Sequence, residues 1–314
     1  MSDLTRCADF FREHDRFLII THRRPDGDTL GSAAGLCHAL GRLGKTARLF
    51  PNPEITELYQ PMTEPWLAPE GYAYDTAVAV DVADAGMISA GYTGGIDLWL
   101  DHHPDQGEPR QNAVVWAEKA SCGELVMELI EQLCGNIDRE EADMLYTALS
   151  TDTGCFLYDN THADTHRAAA RLLEAGADLP RLNKLLFRSK TRARVLLEGM
   201  ICASLRSYRE NSINVAVVTL DMMERSGATE DDCNDLASLA GQVHGNRAAI
   251  TVRELRCDPP LCKVSLRTDG MVNAASVCAR CGGGGHAMAS GCELACGPEE
   301  TAERVRSVVE ELWP

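Results

Sequence analysis

The chain has 314 residues, 45% of them hydrophobic and 25% charged, which describes about two ordinary globular domains. Its net charge of −17, from 30 basic against 47 acidic residues, argues against a grip on long polynucleotides and favours small or short anionic substrates. There is no apolar run of about 18 residues and no apolar signal core at the start, so the expectation is a cytosolic protein without a membrane span.

The first residues read as an amphipathic helix with Leu4, Ala8 and Phe11 on one face. The apolar run Phe17 to Ile20 then precedes an acidic cluster, Thr21-His22-Arg23-Arg24-Pro25-Asp26-Gly27-Asp28, and an Ala- and Leu-rich helical pattern follows from Ser32 to Gly41. Ala77 to Val80 precedes Asp81-Val82-Ala83-Asp84, and Leu98 to Leu100 precedes Asp101-His102-His103. Short apolar runs of this kind suit strands buried on both faces of a parallel sheet. Strand then helix, repeated, predicts a doubly wound α/β domain whose site lies beyond the carboxyl ends of its strands. All three clusters sit there. A fourth, Thr151-Asp152-Thr153-Gly154, closes the helical stretch Glu140 to Leu149 and approaches from the flank. A lone Asp after a strand is usually a solvated turn residue; three such clusters, two with histidine, point to divalent-metal ligands.

His166 to Gly176 reads as a helix, and a further helical run extends from Leu182 to Leu205 with Arg188, Lys190, Arg192 and Arg194 as a solvated face. A new pattern begins near Asn211. Ile213 to Leu220, Ala248 to Leu255 and Cys262 to Arg267 read as strands; Glu230 to Val243, Met271 to Cys281 and Glu299 to Trp313 read as helices. The expected division is a metal-binding domain over 1–185, a helical linker over 186–210 and a smaller α/β domain over 211–314, with the active site in the cleft between the two domains. The glycine run Gly282-Gly283-Gly284-Gly285 ends in His286 and lies between a helix and a strand, where a flexible linker would cut a domain in two. It reads instead as a backbone loop able to take positive φ and aim amide groups at an anion, with His286 as a donor and Arg267 as a guanidinium partner.

Thirteen cysteines are scattered through apparent helices and strands, mostly beside apolar residues, where a free thiol packs as a small hydrophobe. Cys278, Cys281, Cys292 and Cys296 have a zinc-ribbon-like spacing, but Cys278 falls on a helix pattern and Cys292 alternates with Leu294 as in a strand, so packing is the better reading. His14, His38 and His244 lack an acidic context and receive no role.

With these residues in hand, the chain resembles the DHH/DHHA1 phosphoesterase superfamily over nearly its whole length, most closely the bifunctional oligoribonucleases that also act as 3′-phosphoadenosine 5′-phosphate (pAp) phosphatases. His22, Asp26 and Asp28 match the first motif of that superfamily, Asp81 the second, Asp101-His102-His103 the third and Asp152 the fourth. Ser265-Leu266-Arg267 and the GGGGH run match the C-terminal domain; Thr268 and Ser290 are mild departures, at positions not expected to carry chemistry. The resemblance implies a phosphoesterase that hydrolyses short single-stranded oligonucleotides to mononucleotides and removes the 3′-phosphate of pAp. It implies two metals, Mn²⁺ with Mg²⁺ as a substitute. His22, Asp26 and Asp81 would hold one ion; Asp28, Asp81, His102 and Asp152 would hold the other. Asp101 would orient a ligand imidazole and His103 would meet the scissile phosphate or leaving oxygen. Arg267, Gly283, Gly284, Gly285 and His286 would bind substrate. A cyclic-dinucleotide phosphodiesterase, a single-strand exonuclease and a non-catalytic nucleotide sensor remain alternatives; a manganese pyrophosphatase, whose resemblance uses a C-terminal domain without GGGGH, is disfavoured. Assembly as a homodimer is left open.

Overall fold

The structure, a computed structural model, describes residues 3–104, 110, 112–233 and 236–314. The chain divides into two compact units, Met1–Ser189 and Lys190–Pro314.

The first unit is built on five parallel strands: β1 (Phe17–Ile20), β2 (Ala47–Leu49), β3 (Thr76–Val80), β4 (Leu98–Asp101) and β5 (Ala113–Val115), in the order β2-β1-β3-β4-β5. Alternate residues of β3 feed different cores. Val78 and Val80 join the main core, whereas Ala79 packs with Val82 and Trp99 in a smaller cluster with Met87, Ile88 and Ile96. Strands with apolar residues on both faces are what a parallel sheet covered on both sides requires.

The main core is closed by α1 (Asp3–Glu13), α2 (Gly27–Arg42), α4 (Cys122–Cys134), α5 (Arg139–Asp152) and α6 (Ala163–Glu174), while α3 (Gln60–Thr63) is a single turn. The pairing of α2 with α5 matters most for the site. A Cβ added at Gly31 would run into the Met144 carbonyl oxygen, and one at Gly27 into the Thr151 side chain. The two helices therefore pack backbone to backbone, which brings Asp28 at the start of α2 near Asp152 at the end of α5. At the opposite end His38 and Arg42 meet the α5 capping box: His38 Nε2 lies 2.8 Å from Asp138, and Arg42 donates to Glu141 at 2.7 Å.

The helical run expected from Leu182 to Leu205 is interrupted. A short helix, α7 (Leu179–Asn183), passes into a π turn over Lys184–Arg188, Ser189 is extended, and Thr191 caps a new helix, α8 (Arg192–Ala203), by accepting from the Arg194 amide at 2.9 Å. Leu197 and Ile201 of α8 are buried with Ala216 and Val218, so this helix belongs to the second unit's core. Lys190 and Arg194 both pair with Glu198, each at 2.7 Å.

The second unit is a six-stranded mixed sheet of β6 (Arg206–Tyr208), β7 (Ile213–Val218), β8 (Ala248–Leu255), β9 (Leu261–Thr268), β10 (Gly284–Gly285) and β11 (Ala289–Leu294), in the order β10-β11-β9-β8-β7-β6. One face is covered by α10 (Ala274–Arg280) and α11 (Pro298–Glu311), the other by α8 and α9 (Leu220–Ser226). The helix expected over Glu230 to Val243 does not form; its described residues make short 3-10 turns at Asp231–Cys233, Leu236–Ser238 and Ala240–Gln242. The Asp232 carboxylate accepts from the Thr229 amide and from Thr191 Oγ1, a local alternative to helical bonding. Among the described residues no helix is long and apolar enough to cross a membrane.

Candidate metal centre

The strand order of the first unit reverses between β1 and β3, and a parallel sheet opens a crevice at such a point, beyond the carboxyl ends of its strands. Each acidic cluster is delivered there by a separate device. β1 leads through Thr21 to His22, and Asp26 caps α2 by accepting from the amides of Asp28 and Thr29. β3 ends at Val80, and the next residue, Asp81, has a φ of +57° that turns the chain out of the strand, while its amide donates to the Leu100 carbonyl at 2.8 Å. Asp and Asn tolerate this left-handed conformation better than most residues. β4 ends at Asp101 and is followed by His102 and His103; Asp152 is the last residue of α5.

The structure brings all the sequence-predicted acids and imidazoles of the first unit together. His22 Nε2 lies 3.7 Å from Asp26 Oδ1 and 3.8 Å from Asp81 Oδ2. His102 Nε2 lies 3.6 Å from Asp28 Oδ2, 3.6 Å from Asp81 Oδ1 and 3.7 Å from Asp152 Oδ2. Asp81 is thus shared by both groups. The other ring nitrogen of each histidine is tied down, His22 Nδ1 to the Arg23 carbonyl at 2.8 Å and His102 Nδ1 to the Lys119 carbonyl at 3.2 Å. An imidazole that donates from Nδ1 to a carbonyl presents Nε2 as a lone pair, the form a metal needs.

The donor set fits divalent cations. His102 Nε2 and Asp81 Oδ1 are buried without a hydrogen-bond partner, and an unmet polar atom in such a place is costly. Three carboxylates also crowd one another. Burial, then the charges of Asp81 and Asp152, push the Asp28 carboxyl well above its ordinary value. Burial raises Asp152 to about 6, with His102 relieving it and Asp81 opposing. A dication placed among these oxygens and imidazoles would satisfy the orphaned atoms and offset the repulsion.

Asp28 has a second task. Its carboxylate accepts from the amides of Cys122 at 2.7 Å and Gly123 at 2.9 Å, the first turn of α4, whose N-cap Ser121 makes no side-chain cap. Asp101 is fully buried and accepts from the His102 and His103 amides and from His103 Nδ1 at 2.9 Å. Burial alone would raise its carboxyl; the bonds from His103 and Arg110 outweigh this and hold it at about 2. Reciprocally, Asp101 and then Asp81 raise His103 to about 11.

Arg110 was not foreseen. It donates to the Asp101 carboxylate and, at 2.6 Å, to the Val82 carbonyl, tying the end of β4 to the segment after β3. It sits in a polar stretch with no periodicity, so nothing in its surroundings marks it out. Asn160, also unforeseen, braces Asp152 by donating to its carbonyl at 3.1 Å.

In the second unit, Arg267 of β9 stands opposite Ala289 of β11, and the Ala289 carbonyl accepts from the His286 amide at 2.8 Å. Arg267 and His286 therefore flank Ala289 from opposite sides of β11. Gly282 and Gly285 have φ of +79° and +141°, as the glycine run predicts. The close approach is to the chain itself: a Cβ at Gly285 would lie 2.8 Å from the Ala289 carbonyl oxygen, and Gly283 is packed just as tightly on β11. Cys278, Cys281 and Cys292 are buried in this unit's core.

The N-terminal domain model of the DHH family matches residues 16–149, and the DHHA1 domain model matches residues 212–313. The bifunctional oligoribonuclease and PAP phosphatase NrnA of Thermus thermophilus is 31% identical over 297 residues, covering 93% of this chain and 89% of that protein. An exopolyphosphatase-related protein from Bacteroides fragilis, 22% identical, shares the fold with a TM-score of 0.86 over 98% of this chain and 96% of that one. The exonuclease RecJ crystallised with manganese shares it more loosely, at 15% identity and a TM-score of 0.51 over 99% of this chain and 94% of that one. The chain belongs to the DHH/DHHA1 family of metal-dependent phosphoesterases, in the branch of the bifunctional oligoribonucleases and PAP phosphatases.

Proposed function

We propose that this chain acts in the cytoplasm on short oligonucleotides, hydrolysing them to mononucleotides, and removes the 3′-phosphate of pAp, using two Mn²⁺ ions for which Mg²⁺ can substitute. The observation that carries this reading is His102 Nε2, buried, unpartnered and within 3.6–3.7 Å of three different carboxylates. His22, Asp26 and Asp81 would hold one ion; Asp28, Asp81, His102 and Asp152 would hold the other. Mixed oxygen and imidazole donors without cysteine suit manganese. When bound, a metal pair supplies Lewis acidity toward phosphoryl oxygens and lowers the pKa of water.

The chain's own residues do the rest. The Arg23 and Lys119 carbonyls fix which nitrogen each ligand histidine presents. Asp101, kept ionised, holds the His103 ring by Nδ1 and leaves Nε2 to donate to a phosphoryl or leaving oxygen. Arg267, the glycine loop Gly283–Gly285 and His286 grip a substrate phosphate. The two activities pose one chemical problem, since pAp and a 5′-phosphorylated oligonucleotide both present a nucleoside 5′-phosphate carrying a phosphoester at its 3′-oxygen.

A substrate panel tests this reading: pAp, 5′-phosphorylated RNA from two to about twenty nucleotides, and cyclic di-AMP, each with Mn²⁺. The expected outcome is turnover of pAp and of the shortest RNAs, with rate per molecule falling as length grows, because a chain of net charge −17 has little basic surface for a long strand. A twenty-mer cut as fast as a trimer, or turnover confined to cyclic di-AMP, would reject it.

A further inference from the structure

Just past Asp152, three consecutive residues take left-handed conformations: Gly154, Cys155 and Phe156, with φ of +54°, +57° and +67°. Glycine does this readily, whereas cysteine and phenylalanine do so only where their surroundings impose it. Here they do. The Thr153 hydroxyl accepts from the Phe156 amide at 3.1 Å, and the Cys155 amide donates to the Ser150 carbonyl at 2.7 Å. The Phe156 ring packs against Tyr146 and His166. The turn thus tucks one apolar residue in and sends the next two outward. Leu157 is 83% exposed and Tyr158 60%, the two most exposed large hydrophobics among the described residues. One face of the Tyr158 ring rests on Gly154, where a Cβ would lie 2.4–2.7 Å from three ring atoms. The Tyr158 amide donates to the Thr153 carbonyl at 3.1 Å, and Asn160 donates to the Asp152 carbonyl at 3.1 Å. An aromatic ring is therefore fixed beside Asp152 by one face, with much of the rest open to solvent.

We infer that Tyr158 is a stacking platform for the nucleobase of the nucleotide whose phosphoester lies at the metal centre, with Leu157 extending its apolar rim. The inference rests on the proposed nucleotide substrates and adds a residue that meets the base, where those named so far meet phosphate. The acids and imidazoles of the centre suit a phosphoryl group and offer no surface to a base. A ring does, because every base has a π-face, so the contact tolerates any sequence. Such tolerance is what reducing short oligonucleotides to mononucleotides requires. A ring already held by one face also loses little further freedom when a base settles on the other.

The test compares pAp with its abasic analogue, a ribose bisphosphate lacking adenine, in the Mn²⁺-loaded full chain, reading kcat/KM for each. Wild type is expected to favour pAp by about 5- to 100-fold, the worth of stacking one base on an aromatic ring. Tyr158→Leu should erase most of that preference through KM, while Tyr158→Phe and Tyr158→Trp should retain it. Mn²⁺ bound per chain should match wild type in all three, since none removes a ligand or the Asn160 brace. If wild type shows no preference, or Tyr158→Leu leaves the ratio unchanged, the platform is wrong even though both compounds are cut. If Tyr158→Leu sheds Mn²⁺, the ring supports the turn rather than a base, and the proposal is equally overturned. If wild type cuts neither compound, the nucleotide-hydrolase reading itself has failed.

Discussion

Asp81→Asn is expected to abolish hydrolysis of pAp and short RNA, by on the order of 10³-fold or more, the scale seen when a group that stabilises transition-state charge is removed. Asparagine keeps the shape of the side chain and tolerates the left-handed backbone at this position, where φ is +57°. The change therefore removes charge from both ligand groups without unfolding β3. Its effect on stability should separate metal-free from metal-loaded protein. The Asp81 charge pushes Asp28 and Asp152 upward but favours the charged form of His103, so without metal the variant should unfold close to wild type. With Mn²⁺ present, wild type should gain stability and the variant should not. Thermal unfolding with and without Mn²⁺ makes the comparison. Equal Mn²⁺ stabilisation of the two proteins would show that Asp81 does not join the ligand groups.

Arg110→Met should be the most destabilising single change near the site. It removes the guanidinium that lies over the Trp99 ring and leaves the Asp101 carboxylate, fully buried, with His103 as its one cationic partner among the described residues. Breaking a buried pair typically costs about 3–5 kcal/mol, and the remaining His103 contact places this case at the low end. The loss should also reach the chemistry, because Asp101 and Arg110 together hold the turn that presents His102 and His103. A fall in kcat/KM of about 10–100-fold is expected, the usual effect of removing a group behind a metal ligand. Urea unfolding and steady-state kinetics measure the two effects. A wild-type urea midpoint would mean that the guanidinium does not hold Asp101 in solution.

The convergence of acids and imidazoles was legible because three short apolar runs were each followed by an acidic cluster, and parallel-sheet topology sends all such ends to one edge. β2 and β5 escaped notice because three residues, with Arg48 in the middle of β2, leave no pattern to read. The glycines of α2 also carried more information than its Ala and Leu content suggested: Gly27 and Gly31 permit the backbone contact with α5 that brings Asp152 to the site. Arg110 and Asn160 lie outside the motifs they brace, so their roles become visible only once β4 and α5 are placed. In the second unit, Arg267 and the glycine loop were recognised one by one. Their placement about Ala289 depends on the antiparallel register of β9 and β11, which no residue pattern states. The misread helix over Glu230 to Val243 has the same origin, since Asp232 bonds to Thr191 on a different segment.

The most direct measurement is a titration of chelator-treated protein with Mn²⁺, following metal bound per chain together with hydrolysis of pAp and of a 5′-phosphorylated RNA trimer. Two ions per chain are predicted, as for other paired-metal phosphoester sites, with both activities absent at the start and rising together as the pair fills. Saturation at a single ion, or either activity proceeding in full without a divalent cation, would contradict the two-metal centre shared through Asp81.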